Sequence, residues 1–278
     1  MTEEVQALVG KEFRCLDKGF VRLIDVMGDD SAIVQAARVS YGSGTKKVHE
    51  DRGLIRSLMR HLHTTPFEMV EFKFHVKLPI FVARQWIRHR TANVNEYSGR
   101  YSEMKDEFYV PDADQVRAQS AMNKQGRADE AFDAERAESI RTSRQQTQDM
   151  LYGQYQEMLS TDLAREIARI NLPVSNYTEW YWKIDLHNLF HFLRLRIDAH
   201  AQYEIRVYGE AMAEIAKAAV PLAYEAFEDY LLHAQRFSRT ELEIIRSTLS
   251  TLPSIDELQA RGLSAREARE FLDKLQRD

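Results

Sequence analysis

The sequence predicts an α+β fold in which an antiparallel sheet is followed by a long helical half. Between residues 72 and 78, apolar and charged residues alternate, as they do in a strand with one buried and one solvent-exposed face. Helical periodicity instead dominates the chain after residue 162. No GxGxxG motif occurs, so a dinucleotide cofactor is not expected to bind through a Rossmann unit.

Three further elements are predicted in the first third of the chain. Phe20 to Met27 is predicted to form a strand. The segment Asp29-Asp30-Ser31 then offers side-chain oxygens that can cap the helix that follows. A second helix is predicted from Glu50 to Leu62, and it ends before Thr64-Thr65-Pro66 because proline disfavours helical geometry in the residue before it.

A short helix and a basic loop follow the alternating strand. Pro79 to Ile87 is predicted to be helical, with proline in its first turn and apolar residues at helical spacing. Arg88-His89-Arg90 continues from its C-terminal end, and Ser98-Gly99-Arg100 follows after a gap of seven residues. One interpretation is a solvated basic cluster, which the helix dipole stabilises at a C-terminus. The small and polar residues that follow favour the other, a loop that binds an anion such as phosphate.

The remaining elements are predicted to be helical. Residues 112–148 are rich in Gln, Ala, Arg and Glu, and they are expected to form an exposed helical insertion or a mobile segment. A helix from Asp162 to Ile170 breaks at Pro173, and a long amphipathic helix is predicted from Thr178 to Tyr208. An alanine-rich helix follows from Glu210 to Val220. In the helical tail from about residue 236, three S-x-x-E capping boxes predict short helices: Ser238/Glu241, Ser254/Glu257 and Ser264/Glu267.

Composition limits the class of protein. The chain has 278 residues, 44% of them hydrophobic, and no Pro/Gly/Ser linker, so residues 1–278 are expected to form a single domain. The one cysteine, Cys15, excludes an intramolecular disulfide framework. With no signal-like segment and no long apolar run, a cytoplasmic protein without a membrane partner is expected. A net charge of -5 argues against general nucleic-acid binding.

Two histidines in the predicted long helix raise the question of a metal. His187 and His191 stand one turn apart, which is a spacing that zinc ligands use. Asn188 follows the first of them, where a metalloprotease helix would have Glu. No cysteine or carboxylate cluster completes a site, so no metal is predicted, and structural histidines or contacts to an organic ligand are favoured.

Five segments together closely resemble one enzyme family, the flavin-dependent thymidylate synthases. The signature lies in Gln85–Arg90 and Asn95–Tyr101, and the other blocks occur in the same order as in the family: Ala37–Tyr41, His63–Glu68 and Leu193–Gln202. The resemblance extends roughly from Val21 to Val220. It implies a methyltransferase that converts dUMP to dTMP, with 5,10-methylenetetrahydrofolate as the carbon donor and NADPH as the reductant through FAD.

The resemblance also implies roles for residues at matching positions. Arg196 would be the catalytic arginine, which polarises the uracil and favours loss of its N3 proton; in an anonymous helix it would be expected only to pair with Asp198 or Glu204. The implied dUMP contacts are Gln85, Trp86, Ile87, Arg88, Glu96, Tyr97, Ser98, Gly99, Arg100, Arg169 and Arg196. The implied FAD contacts are Ser40, His63, Thr65, Arg88, His89, Arg90, Glu96, Asp185, His187, His191 and His200.

The single cysteine bears on this expectation. The more familiar route to a methylated uracil needs a thiolate that attacks the ring. Cys15 lies beside a predicted strand with no histidine in its local sequence, so it is expected to be structural or incidental.

In this family the active sites form between the protomers of a homotetramer, and the same assembly is expected here.

A nucleic-acid-binding module remains the alternative from another class. It would use the basic loop from Arg88 to Arg100 to contact phosphates. This alternative predicts steeply salt-dependent binding to oligonucleotides, and tight stoichiometric binding of FAD would argue against it.

Overall fold

The computed structural model describes residues 2–39, 48–122 and 124–276 of the chain. The chain divides into two compact units, Met1–Leu232 and His233–Asp278. That residues 1–278 form a single domain stays a prediction. Nowhere in the described ranges is a helix long and apolar enough to cross a membrane.

The first unit is built on an antiparallel sheet, as the sequence predicts. Its strands are β1 (Glu12–Cys15), β2 (Gly19–Met27), β3 (Glu71–Pro79), β4 (Asn93–Glu96) and β7 (Tyr177–Asp185), with the shorter β5 (Arg117–Gln119) and β6 (Arg127–Ala131) forming a separate hairpin. The strand order in the five-stranded sheet is β1-β2-β3-β7-β4, and every neighbouring pair is antiparallel. The α+β fold class is confirmed.

The helices of the first unit precede, separate and follow these strands. They are α1 (Glu3–Leu8), α2 (Asp30–Val39), α3 (Val48–Arg60), α4 (Ile80–Trp86), α5 (Ala134–Ser160), α6 (Arg165–Ala168), α7 (Leu186–Arg196), α8 (Tyr203–Ala219) and α9 (Pro221–Phe227). Short 3-10 turns occur at Thr65–Met69, Ala113–Gln115 and Arg169–Asn171, and a π-helical turn at Glu228–Leu232. Helix α8 is the central one, because it packs against β1, β2, α4 and α7 and buries Tyr208, Met212 and Ile215 completely.

The predicted long helix from Thr178 to Tyr208 is wrong. The segment contains strand β7, helix α7, an irregular stretch at 197–202 and the start of α8. Trp180, Trp182 and Ile184 are buried at every second position and pair with β3, so the side chains alternate across a sheet. The short strand β4 was not predicted either, and its residues are all exposed.

Residues 112–148 are more ordered than the sequence predicts. They contain the β5–β6 hairpin, which was not predicted, and the first half of the 27-residue helix α5. The predicted helix is therefore confirmed for residues 134–148. Helix α5 is tied to the first unit by Gln148, whose amide donates to the backbone oxygen of Tyr109 (3.0 Å) and to Ser175 Oγ (3.1 Å).

The second unit contains the three predicted short helices, α10 (Arg239–Thr248), α11 (Ile255–Ala260) and α12 (Ala265–Gln276). Each begins at a reciprocal capping box, so all three sequence predictions are confirmed. In the third, Ser264 N donates to Glu267 Oε2 (2.8 Å), and Glu267 N donates to Ser264 Oγ (3.2 Å).

Candidate active site

The basic triplet is held in place by the residue before it. Trp86 ends α4 with its side chain fully buried, and its ring lies edge-on to Trp182 (centroids 5.2 Å apart) and against Phe192 (4.7 Å). The chain then turns out of the helix, with His89 N donating to the backbone oxygen of Trp86 (2.9 Å). The anchored indole thus fixes where Arg88, His89 and Arg90 leave the core.

A second joint, where strand β7 runs into α7, positions the other half of the site. Asp185 caps α7, since its carboxylate accepts from Asn188 N (3.0 Å) and from Asn188 Nδ2 (2.7 Å). Leu186, Leu189, Phe190 and Leu193 bury one side of the helix. His187 and His191 lie away from this buried side, and they line a cleft with the basic triplet and with Arg196, the last residue of α7.

These two elements enclose an open cleft of about 780 Å³, which we call the Arg–His cleft. Its lining residues are Arg88, His89, Arg90, Thr91, His187, Asn188, His191, Leu195 and Arg196. Three of them are arginines and three are histidines, and none of these described lining residues carries a carboxylate. A set made of guanidinium and imidazole groups fits an anionic ligand with hydrogen-bonding edges, as the pyrophosphate and isoalloxazine of FAD provide.

Arg196 and His89 form the central pair of the cleft. The Nε–H of Arg196 donates to His89 Nε2 at 3.0 Å. A guanidinium has no acceptor, so His89 must accept through Nε2 and carry its proton on Nδ1. Burial, together with the positive charges of Arg196 and the neighbouring His191, lowers the pKa of His89 to about 4. The imidazole is therefore neutral at physiological pH.

The other two histidines extend the cleft along α7. His191 lies 5.8 Å from His89 between ring centroids, and burial and the charges of Arg194, His187 and Arg196 lower its pKa. A neutral imidazole can donate from one nitrogen and accept at the other, so His191 suits the edge of a heterocycle. No group of three or more potential metal ligands occurs among the residues that the structure describes.

A second cluster surrounds Gly99, and none of its residues lines the Arg–His cleft. A Cβ atom at Gly99 would stand 2.7 Å from Met104 Sδ and 3.1 Å from Arg169 Nη1, so glycine lets Arg169 pack directly on the loop. Ser98 Oγ accepts from Arg100 N at 3.3 Å, and Arg100 Nε pairs with Glu166 Oε2 at 2.9 Å. This Gly99 cluster gathers four of the expected substrate contacts: Ser98, Gly99, Arg100 and Arg169.

A third group joins Gln85 to the segment between α7 and α8. The amide nitrogen of Gln85 donates to Gln202 Oε1. Nearby, His200 lies in an irregular stretch, and its backbone nitrogen (2.8 Å) and ring Nδ1 (2.9 Å) both contact Asp198 Oδ1. The predicted long helix would place Arg196 and His200 one turn apart, but α7 ends at Arg196 and they form no such pair.

The other expected contacts lie outside the Arg–His cleft. Thr178 donates to Glu96 (2.9 Å), Tyr97 OH donates to the backbone oxygen of Glu103 (2.5 Å), and Asp185 is committed to its cap. His63 and Thr65 are exposed near the 3-10 turn that packs against α7, and Ile87 is 41% exposed. Trp86 could reach a ligand only through its backbone. Ser40 lies outside the described residues.

Three residues that line the cleft were not predicted from the sequence: Thr91, Asn188 and Leu195. Leu195 lies one turn after His191, and Asn188 lies almost one turn before it. Helical spacing from His191 could have identified both.

Cys15 does not line the Arg–His cleft. It is 2% exposed in β1, and its thiol contacts the backbone oxygens of Phe13 (3.5 Å) and Val207 (3.7 Å). Burial raises the pKa of the thiol to about 12. The only cysteine of the chain is thus a buried neutral thiol.

Comparison with known proteins gives a consistent result. The profile of the family described as thymidylate synthase complementing protein matches residues 22–222. The flavin-dependent thymidylate synthase of Wolbachia pipientis wMel is 59% identical over 249 residues, covering 90% of this chain and 87% of that protein. Its counterpart in Treponema denticola is 57% identical over 265 residues, covering 95% and 97%. The structure of a UMP/dUMP methylase, PolB from Streptomyces cacaoi bound with 5-Br dUMP, matches with a TM-score of 0.71 at 35% identity, covering 78% of this chain and 98% of that one.

Proposed function

The chain belongs to the flavin-dependent thymidylate synthase family, and we propose that the Arg–His cleft and the Gly99 cluster hold its flavin and its nucleotide. The enzyme converts dUMP to dTMP, with 5,10-methylenetetrahydrofolate as the carbon donor and NADPH as the reductant. FAD, when bound, supplies the redox chemistry. The alternative of a nucleic-acid-binding module has no support from these relatives.

The pairing of Arg196 with His89 is the observation that carries the site assignment. His89 occupies the Nε–H of Arg196, so the terminal amino groups of the guanidinium remain for a ligand in the cleft. A guanidinium stays charged at physiological pH, and Arg196 can therefore stabilise the negative charge that develops when uracil loses its N3 proton. His89, neutral and fixed in one tautomer, orients Arg196 without competing for that charge.

The state of Cys15 supports a route without a protein nucleophile. A thiol with a pKa of about 12 holds a negligible fraction of thiolate at neutral pH. Charge stabilisation by Arg196 takes the place of covalent activation in this proposal.

Arginines around the Gly99 cluster suit the phosphate of dUMP, since guanidinium groups can bind phosphate oxygens in pairs. Arg169 packs on Gly99, and Arg100 is held at the surface by Glu166. Within one protomer, however, none of these residues lines the Arg–His cleft. We therefore propose a homotetramer in which the cleft of one protomer meets the Gly99 cluster of another. A cytoplasmic location stays a prediction.

The first test is dTMP formation from dUMP, methylenetetrahydrofolate and NADPH by the purified protein, with added FAD and after removal of the flavin. We expect turnover that depends on FAD. A flavin-bound protein that forms no dTMP under these conditions would contradict the proposed function. The assembly is tested separately by measuring the molar mass in solution by light scattering.

A further inference from the structure

A buried carboxylate in α8 connects the hairpin insertion to Gln85. Glu204 is 2% exposed, and its Oε1 atom accepts from Tyr109 OH (3.0 Å) and from Arg127 of β6. Its Oε2 atom accepts from Gln202 Nε2 at 2.8 Å, and Gln202 Oε1 accepts in turn from the amide of Gln85. The line of hydrogen bonds runs from the interior out to a residue beside the basic triplet.

The direction of these bonds is fixed by chemistry. A carboxylate paired with Arg127 can only accept, so Gln202 must turn its NH₂ group towards Glu204 and its carbonyl oxygen towards Gln85. Gln85 must then give one N–H to Gln202. Its own carbonyl oxygen and its second N–H are left for a ligand, in a known orientation.

The two carboxylate oxygens of Glu204 have different partners. Arg127 and Tyr109 both bond Oε1, and they balance the buried charge. Burial and the nearby Glu204 raise the pKa of Tyr109, which keeps its hydroxyl protonated and donating. The Oε2 atom accepts a hydrogen bond from Gln202, an exposed side chain that contributes little to the core. A carboxylate with a purely structural role would not need the hydrogen bond between Oε2 and the exposed Gln202.

We propose that Glu204 is a positioning residue for the nucleotide, because it sets the orientation of the Gln85 amide through Gln202. The inference rests on the proposed function, in which Gln85 contacts dUMP. It also gives the β5–β6 hairpin a role, since Arg127 holds Glu204 in the orientation that the relay requires.

The test compares variants along the relay by steady-state kinetics at saturating cosubstrates. Gln202→Leu removes both hydrogen bonds of an exposed side chain, the one to Glu204 and the one to Gln85. Glu204→Gln keeps the size of the side chain, but its amide can donate as well as accept, so the orientation of Gln202 is no longer fixed. Each should raise the KM for dUMP about tenfold and leave kcat within about twofold, because only ground-state orientation is lost. Gln202→Leu keeps the test valid even where Glu204→Gln fails to fold.

Tyr109→Phe is the matched control. It removes a hydrogen bond to Oε1 but leaves the bond between Oε2 and Gln202, so its KM for dUMP should stay within about twofold of wild type. An equal rise in KM for Tyr109→Phe would show general loosening of the site and overturn the inference.

A double-mutant cycle with Gln85→Ala gives the decisive measurement. If Glu204 acts through Gln85, adding Glu204→Gln or Gln202→Leu to Gln85→Ala should change KM no further. Additive effects on the KM for dUMP, or a wild-type KM in Gln85→Ala, would overturn the inference. Neither result would contradict the proposed function as long as the wild-type protein forms dTMP. Absence of dTMP formation by the wild-type protein would instead count against the proposed function.

Discussion

At the scale of single residues, the contact between Arg196 and His89 determines the protonation state of the cleft. The guanidinium donates to Nε2, so protonation of that nitrogen would break the bond and bring two positive charges together. Burial, and after it the charge of Arg196, lowers the pKa of His89 to about 4. The family resemblance identified both residues, but their mutual contact depends on how α4 and α7 pack and could not be inferred from spacing.

Replacement of Arg196 tests its catalytic role. Arg196→Ala should lower kcat for dTMP formation by about 10²–10³, the usual effect of removing one donor that stabilises developing charge. Bound flavin, measured by its absorbance, should remain because Arg88 and Arg90 still line the cleft. Arg196→Lys keeps the charge without the Nε–H and serves as the control, with an intermediate rate. Wild-type turnover by Arg196→Ala would contradict the role.

The pKa of His89 makes stability depend on pH. In the unfolded chain His89 binds a proton below about pH 6.5, but in the folded protein it does so only below about pH 4. The unfolded state therefore binds more protons between these values, and the free energy of unfolding should fall as the pH drops from 6.5 towards 4.

His89→Gln measures that contribution, because the glutamine oxygen can accept from Arg196 without titrating. Urea unfolding at several pH values should show a smaller loss of stability in the variant than in wild type across this window. Identical slopes for the two proteins would mean that His89 titrates normally in the folded state.

At the scale of elements, the junction between β7 and α7 shows what the sequence pattern conceals. Buried Trp182 and Leu186 lie four residues apart, so they fit a helical stripe even though the first belongs to a strand. The alternation of Trp180, Trp182 and Ile184 gives the correct period, and Asp185 followed by Asn188 marks the helix start. By contrast, α4 was predictable because Pro79 marks its beginning.

The cap at this junction can be tested by stability. Asp185→Ala should lower the free energy of unfolding by about 1 kcal/mol, because α7 loses the acceptor for Asn188 N. Asp185→Ser is the control, since serine caps a helix about as well. Equal stability of Asp185→Ala and wild type in urea would show that the cap is dispensable.

The loop at Gly99 offers a test of the substrate cluster. A methyl group in Gly99→Ala would meet Met104 Sδ at 2.7 Å and Arg169 Nη1 at 3.1 Å, so the Met104 side chain must move and Arg169 must be displaced slightly from its place on the loop. The KM for dUMP should rise at least about tenfold if Arg169 binds the phosphate.

Gly153→Ala is the matched control for this substitution. Nothing lies within 4 Å of the added methyl group in α5, so kinetics should stay at the wild-type level. A wild-type KM in Gly99→Ala would remove the Gly99 cluster from the substrate site.

At the scale of the whole molecule, the separation of the Arg–His cleft from the Gly99 cluster is the feature that sequence could not supply. Both sets of residues were named from the family's motifs, yet none of the four residues of the Gly99 cluster is among the described residues that line the Arg–His cleft. The hydrophobic pattern determines the fold within a chain, whereas the meeting of two surfaces depends on symmetry.

Mixed oligomers test the shared site. Arg196→Ala and Arg169→Ala should each be nearly inactive alone. Coexpressed in equal amounts, they should recover about a quarter of wild-type turnover, since half of the protomers carry each intact set and the sets combine at random. A mixture no more active than its components would place both arginines in sites formed by one protomer.

The burial of Cys15 has a pharmacological consequence. Electrophilic compounds that are trapped by a catalytic thiolate need an exposed, ionised sulfur, and this chain offers only a buried thiol with a pKa of about 12. Such drugs should leave this protein unmodified while inactivating enzymes that methylate uracil through cysteine. Anions that compete for the arginines of the Arg–His cleft would act without a thiolate.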